Sequence, residues 1–559
     1  MKRLHAKIIH FTSAAVLALV SIAPFAMLHA QKTSSGLYRI SGTVRNASTG
    51  QPLDRASVSI VLSKDYSPVQ IMQTGPDGHF EFDHLPAAKY ALTGSRRGFI
   101  TASYDAHDDY STAIVTGDGL ISENLTLQLV PDAVISGVVT EDSGDPVENA
   151  RVSLYRQTYD SGLEKVRVVS STNVDDTGAY EFAGLAPGDY FLSAGGRPWY
   201  ADNNTGVARS SPEPQQSENR STPRSPLDLV YATTFYADVT STEDATPIPL
   251  KGGDRMQINF TLHPVAALHL IVRTPAPADP NGGVMASAPV LAQQIFGSTE
   301  YTEANSRYIT PGQTEISVAP GEYQIHLSGG PNAPSEKLTT VNVTSDEAVD
   351  AGTGVATADI SGKLALLSGE AFPQSTVVSL TSTDGQNMNG SEVKKDGSFE
   401  LANVPPGRYR LNAWMSGKHL FVAKLAATGA EIEQQWIKTG SNAVIVAATV
   451  YTDPNVEVTG FAKKDGKPAP GVMIVLVPQD PSNNRDLFRR DQSDSDGSFG
   501  LRDVAPGKYT VVAIEDGWKL DWADPTVIGH YLPRGQPVTV TERNTKTTEL
   551  KESVEVQSK

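Results

Sequence analysis

Two aromatic pairs and an acidic turn are the residues whose types and spacing suggest chemistry. Trp199 and Tyr200 are adjacent, and Trp518 and Trp522 lie four apart in Asp516-Gly517-Trp518-Lys519-Leu520-Asp521-Trp522. Exposed rings offer broad amphipathic contact area, which suits stacking against sugar faces. On a short helix the i,i+4 spacing puts Trp518 and Trp522 on one face. The same rings also suit a plug at a sandwich end or a domain interface, and the sequence leaves both readings open. Asp491, Asp494 and Asp496 precede Gly497. Alternating carboxylates suit a hard cation such as Ca²⁺, but the Glu that would close such a loop is missing at the required spacing. Asp396-Gly397 fills an equivalent place without the extra acids, so turn chemistry is the better account, and it serves equally for Asp175, Asp176 and Gly178. Past residue 30 the histidines are His79, His84, His107, His263, His269, His326, His419 and His530. None forms a His-Glu-x-x-His or other compact metal signature. His263 and His269, near a domain junction, are the best zinc candidates among them. Neither a Gly-x-Ser-x-Gly elbow nor a P-loop occurs. The reading therefore assigns no catalytic residue, no metal and no cofactor.

Composition narrows the partners. The chain has 46 Lys+Arg against 63 Asp+Glu, a formal charge of −17, and no cysteine. An acidic balance argues against nucleic acid or an anionic membrane as main partner. The absence of thiols excludes disulfides, thiolate metal sites and cysteine nucleophiles. At roughly 100–200 residues per domain the length allows three to five domains.

The N-terminus reads as an address. Lys2, Arg3 and Lys7 precede an apolar stretch with Ala14, Val16, Leu17, Leu19, Val20 and Ile22, then Pro24 and Leu28-His29-Ala30. This is the pattern of a cleaved secretory signal over residues 1–30. No later segment is apolar enough to cross a bilayer as a helix. The expected location is periplasmic or extracellular.

The remainder is a repeat. One block opens with Ile40-Ser41-Gly42, passes Asp77-Gly78-His79-Phe80 and closes at Leu85-Pro86 and Tyr90. A second opens with Ile135-Ser136-Gly137 and closes with Leu185-Ala186-Pro187-Gly188-Asp189-Tyr190. A third runs from Ile360-Ser361-Gly362 through Asp396-Gly397-Ser398-Phe399 to Val404-Pro405-Pro406-Gly407-Arg408-Tyr409. The last runs from Val458-Thr459-Gly460 through Asp496-Gly497-Ser498-Phe499 to Val504-Ala505-Pro506-Gly507-Lys508-Tyr509. Between the second and third lies a degenerate copy that keeps only Val318-Ala319-Pro320-Gly321-Glu322-Tyr323. Alternating apolar and small residues predict half-buried strands, and Asp-Gly supplies the positive φ of a tight hairpin. The expectation is all-β: about five tandem antiparallel β-sandwiches. The expected limits are residues 36–131, 132–264, 265–357, 358–454 and 455–552. A disordered insert is expected near 203–227 and a Pro/Gly-rich loop at 274–283. The closing tyrosines Tyr190, Tyr323, Tyr409 and Tyr509 are expected to be structural, anchored by their hydroxyls to nearby backbone.

These motifs together resemble the carboxypeptidase regulatory-like domain, a transthyretin-like sandwich grouped with the carbohydrate-binding-like fold. The resemblance covers four copies well and one poorly. It implies an accessory, non-catalytic role and transfers no catalytic residue, because the matched positions are turn and core positions. The reading is an exported, non-catalytic binding protein of the bacterial envelope, with polysaccharide or another envelope protein as partner. Trp518, Trp522, Trp199 and Tyr200 are its candidate ligand-binding residues. A structural spacer or interaction scaffold is one alternative, and a hydrolase using an inter-domain cleft is another.

Overall fold

A computed structural model describes residues 38–559, apart from 160–161, 202–225, 275–288, 303, 311, 328–336, 352–354, 368, 370, 373–374, 384–389, 416–417, 434, 451–455 and 542–546. The expected signal at 1–30, nearly all of the insert at 203–227 and most of the 274–283 loop lie outside the described residues.

The described chain is β-structure in tandem sandwiches, with a few short helical turns. Five apolar clusters follow one another along the sequence, over residues 40–129, 133–262, 270–351, 360–450 and 456–554. Each is filled from facing sheets. Alternation does the work locally: Ala133–Glu141 buries every second residue, as a strand with one face on a core must.

One pairing rule recurs in all five. The first strand of a copy pairs antiparallel with the strand after the hairpin and parallel with a strand near the copy's end. Tyr38–Asn46 thus lies between His79–Leu85 and Leu125–Leu129. Ala358–Leu366 lies between Ser398–Val404 and Val444–Val450. The degenerate third copy keeps this plan, with Leu268–Arg273 between Gln313–Val318 and Glu347–Asp350. The sandwiches are therefore mostly antiparallel, with a parallel contact that alternation cannot reveal.

The small residue in Ile-Ser-Gly now has a reason. A Cβ on Gly137 would lie 1.6 Å from the carbonyl oxygen of Ile258, on the parallel strand's side. The closing tyrosines staple the turn that precedes them. Tyr90, Tyr190, Tyr323 and Tyr509 each donate their hydroxyl to the carbonyl four residues earlier, at 2.7–3.0 Å. Each such bond contributes about 1 kcal/mol.

The chain does not run on as an open row. The fifth sandwich packs against the first, so the two ends of the described chain meet. Cross-domain backbone contacts mark the seam: Ser495 N–H donates to Ala113 O at 2.9 Å. Val115 N–H donates to Ser495 Oγ at 2.8 Å.

Candidate functional site

Two places gather the side chains that could serve function: the seam between the first and fifth sandwiches, and a cleft between the second and third.

The seam is built on Arg489–Gln492, a strand whose alternation turns Arg490 and Gln492 inward. Gln492 Nε2 donates to Asp105 O at 2.5 Å and to Thr112 Oγ1 at 2.8 Å. Lys89 reaches across to Asp494 Oδ2 at 2.6 Å and Ser498 Oγ at 2.8 Å. Arg490 is 4% exposed, with Nη1 3.2 Å from Asp108 Oδ2. Its guanidinium lies 4.7 Å from the Tyr110 ring centre, 5.5 Å from Trp518 and 5.3 Å from Trp522. Three ring faces and a carboxylate thus receive a cation that has left water. His107 of the first sandwich stacks on Trp518 at 4.7 Å. The second sandwich closes the far side. There Ala523 N–H donates to Gly162 O at 2.8 Å, and Glu164 N–H to Asp521 Oδ1 at 2.6 Å.

Burial governs the acids here. The Asp491 carboxyl is pushed up from its ordinary 3.8 to about 6 by burial, against hydrogen bonds from the Gly500 and Gln492 N–H groups. Asp494 is also raised by burial, which outweighs the attraction of Lys89. Asp496 Oδ1 accepts from Ser498 N at 2.9 Å, as hairpin turn chemistry requires. The three acids considered for a cation each have protein donors: Gly500 N for Asp491, Lys89 and Ala113 N for Asp494, Ser498 for Asp496. His263 and His269 do not converge on one centre either. His263 Nδ1 lies 2.5 Å from Asp142, whereas His269 sits between Asp228 at 2.6 Å and Glu315 at 3.1 Å.

The cleft is different in kind. It encloses 490 Å³, within the range of about 300–1,000 Å³ usual for ligand sites. One wall comes from the second sandwich, with Trp199, Arg197 and Asn149, and the other from the third, with Tyr301, Gln293 and Asn305. Trp199 is 71% exposed and Tyr301 67%. Charged lining residues balance, with Glu148 and Glu300 against Arg151 and Arg197. Arg197 Nη1 donates to Asn305 Oδ1 at 2.6 Å, and Thr233 Oγ1 to Gln293 Oε1 at 3.2 Å, so both walls are tied together. Phe296 braces them from behind, packed on Tyr155, Phe191 and Phe235.

Trp199 is held in place. Tyr200 meets it edge-on at 5.6 Å, and the Tyr200 hydroxyl donates to Glu141 Oε2 at 2.8 Å. Tyr231 donates to the same oxygen at 2.9 Å. Burial pushes the Glu141 carboxyl up, but bonds from Tyr200, Tyr231 and Ser143 more than offset it and hold it below its ordinary value.

The four aromatic candidates therefore divide. Trp518 and Trp522 are 9% and 6% exposed and belong to one apolar cluster in the seam, where no open ring face remains for a ligand. The short helix expected to carry both is also corrected. Trp518 lies in a 3₁₀ turn, Gly517–Lys519, and the α-helix, Pro525–Gly529, starts after Trp522. Pro525 and the Asp524 cap, whose side chain accepts from Thr526 N, fix that start. Trp199 is open and Tyr200 supports it. Tyr301, Asn305 and Gln293 escaped the sequence reading because they fall in the degenerate copy, whose motif gave no frame for them. Arg490 carries a signal in the sequence: Arg489-Arg490-Asp491-Gln492 is wholly polar where a half-buried strand is due.

Among the described residues no helix is long and apolar enough to cross a membrane. Residues 39–120 and 134–212 match the carboxypeptidase regulatory-like domain. Residues 456–529 match the second β-sandwich domain of BOS complex subunit NOMO1-like proteins. No curated protein matches in sequence. Solved structures that align include the Bacillus anthracis TIE protein, at 9% identity, covering 74% of this chain and 73% of that one, with a TM-score of 0.17. The shaft pilin SpaA of Lactobacillus rhamnosus GG aligns at 11% identity over 41% of this chain and 98% of its own, TM-score 0.18. GBS52, the minor pilin of Streptococcus agalactiae, aligns at 13% over 44% and 99%, TM-score 0.19.

Proposed function

We propose that this chain, whose first two sandwiches match the carboxypeptidase regulatory-like domain, is an exported, non-catalytic binding scaffold of the bacterial envelope. The observation that carries this reading is the seam. Aromatic, ionic and backbone contacts tie the first sandwich to the fifth, so binding surfaces stand in fixed relation rather than on a flexible string. Such a scaffold presents surfaces to polysaccharide or to another envelope protein.

The sequence supports export through residues 1–30. The hydrolase reading is weaker because the upward-shifted carboxyls, Asp491 and Asp494, sit in the seam and are engaged by Gly500, Lys89 and Ala113. Their oxygens face protein donors rather than a substrate.

The test is cell fractionation with N-terminal sequencing, followed by limited proteolysis of the purified chain. The reading requires a mature N-terminus near residue 31 in the envelope or exterior fraction. It also requires that the first and fifth sandwiches stay associated after cleavage at a protease site inserted between the third and fourth sandwiches. Cytoplasmic retention, or separation of the fragments at that step, contradicts it.

A further inference from the structure

We propose that the cleft between the second and third sandwiches binds a neutral oligosaccharide. The inference rests on the reading of the chain as a binding scaffold and assigns that scaffold a site and a ligand class.

Single exposed rings are ordinary on a protein surface, whereas two lining one cleft call for an occupant. Trp199 and Tyr301 both line this cleft and stay open, one from each sandwich. Sugar rings have apolar C–H faces and polar edges. Two aromatic walls stack the faces, and amide side chains meet the hydroxyl edges. Asn149 supplies such an amide, and Gln293 and Asn305, whose oxygens accept from Thr233 and Arg197, offer their NH2 groups as donors. The ligand's neutrality follows from the lining, where two acidic and two basic side chains cancel. An anionic or cationic polymer would meet no excess of opposite charge there.

The cleft also has the two traits that separate a site from a gap. Its platform is preorganised, because Tyr200 and the Glu141 hydrogen bonds fix the root of Trp199. Its walls are tied by the Arg197–Asn305 and Thr233–Gln293 bonds, so little order is lost on binding. A second cavity of 300 Å³ shares Thr233, Gln293, Ile295 and Tyr323 with the first. Polar wall therefore continues past a single sugar ring, which favours a chain over a monosaccharide.

The test uses the full exported chain against immobilised hexasaccharides. Four are neutral (β-1,4-glucan, β-1,4-xylan, β-1,4-mannan, α-1,4-glucan) and one is charged (oligogalacturonate), with calorimetry on any that bind. At least one neutral hexasaccharide should bind, and Trp199→Ala and Tyr301→Ala should each weaken it at least tenfold. Ile71→Ala, an exposed apolar change on the first sandwich, should leave it unchanged. Failure of all four neutral probes, capture of the charged one alone, or full affinity in either aromatic variant overturns the proposal. Small-angle scattering of the same samples reports the scaffold separately. Lost binding in a compact chain overturns the site alone, whereas an expanded chain overturns the scaffold reading beneath it.

Discussion

The seam and the cleft use the same residue types to opposite ends. Both combine tryptophan and tyrosine with arginine at a junction between sandwiches. In the seam, Trp518 and Trp522 are buried against Arg490, whose charge is shared among rings and Asp108. In the cleft, Trp199 and Tyr301 stay open, and Arg197 is spent on Asn305 of the facing wall. What separates the two is the apposed surface. The first sandwich offers His107 and Tyr110 as flat partners that cover the seam rings. The third sandwich packs Phe296 on Tyr155, Phe191 and Phe235 and bonds Asn305 to Arg197, yet leaves Trp199 uncovered. An aromatic residue at a domain junction is thus structural or available according to whether the neighbour supplies a ring to cover it.

The comparison can be broken most forcefully at Trp518. Trp518→Ala should cost about 3–5 kcal/mol of seam stability, the usual loss for a buried tryptophan. It is read as lost hydrogen-exchange protection at the Ala113, Val115 and Ser495 amides, whose partners lie across the seam. Unchanged protection would mean that the rings do not hold the seam. Gly162→Ala attacks from the other side. Gly162 has φ +77°, and an added Cβ would lie 2.8 Å from the Trp522 ring, so about 1–3 kcal/mol should be lost. Thermal unfolding monitored by tryptophan fluorescence checks it.

The two regions also answer pH with opposite signs. Asp491 has a raised folded value, so folding takes up its proton first as pH falls. Its contribution to stability is complete below the ordinary carboxylate value and is lost as pH rises through about 6. Asp491→Asn should remove that dependence and gain on the order of 2 kcal/mol or less at pH 7. Glu141 has a lowered value, so its contribution is present above the ordinary value and is lost as pH falls through the folded one. Urea unfolding at pH 7, 5 and 4, resolved by exchange in peptides from each region, separates the two. A common sign in both regions would contradict the assignment. The smallest effect belongs to Trp199→Ala, which removes an exposed ring and should change stability by less than about 0.5 kcal/mol. A loss comparable to that of Trp518→Ala would erase the distinction between the regions.

The strand plan could be read from the chain because it rests on local causes. Asp-Gly turns, alternating apolar residues and Pro-Gly-x-Tyr closes each impose geometry on their own neighbours. The structure adds the reason for Gly137 and the carbonyl partners of Tyr90, Tyr190, Tyr323 and Tyr509. Trp199 and Tyr200 were visible as exposed-ring candidates. Two things were hidden. The parallel pairing of Tyr38–Asn46 with Leu125–Leu129 joins residues some eighty positions apart, beyond any local pattern. The contacts of Lys89 with Asp494 and of His107 with Trp518 are longer in range still, and the second of them covers a tryptophan. Tyr301 and Asn305 were missed because their copy has lost the motif that gives its neighbours a frame.

The closing of the first sandwich on the fifth is the claim on which the rest depends, and the native chain's lack of cysteine makes it directly measurable. Spin labels at Glu123→Cys and Lys551→Cys, both exposed, report the distance between the two sandwiches by pulsed dipolar spectroscopy. A single narrow distance in the otherwise native chain, broadened by Trp518→Ala, is the predicted result. A broad distribution that Trp518→Ala leaves unaltered would contradict it.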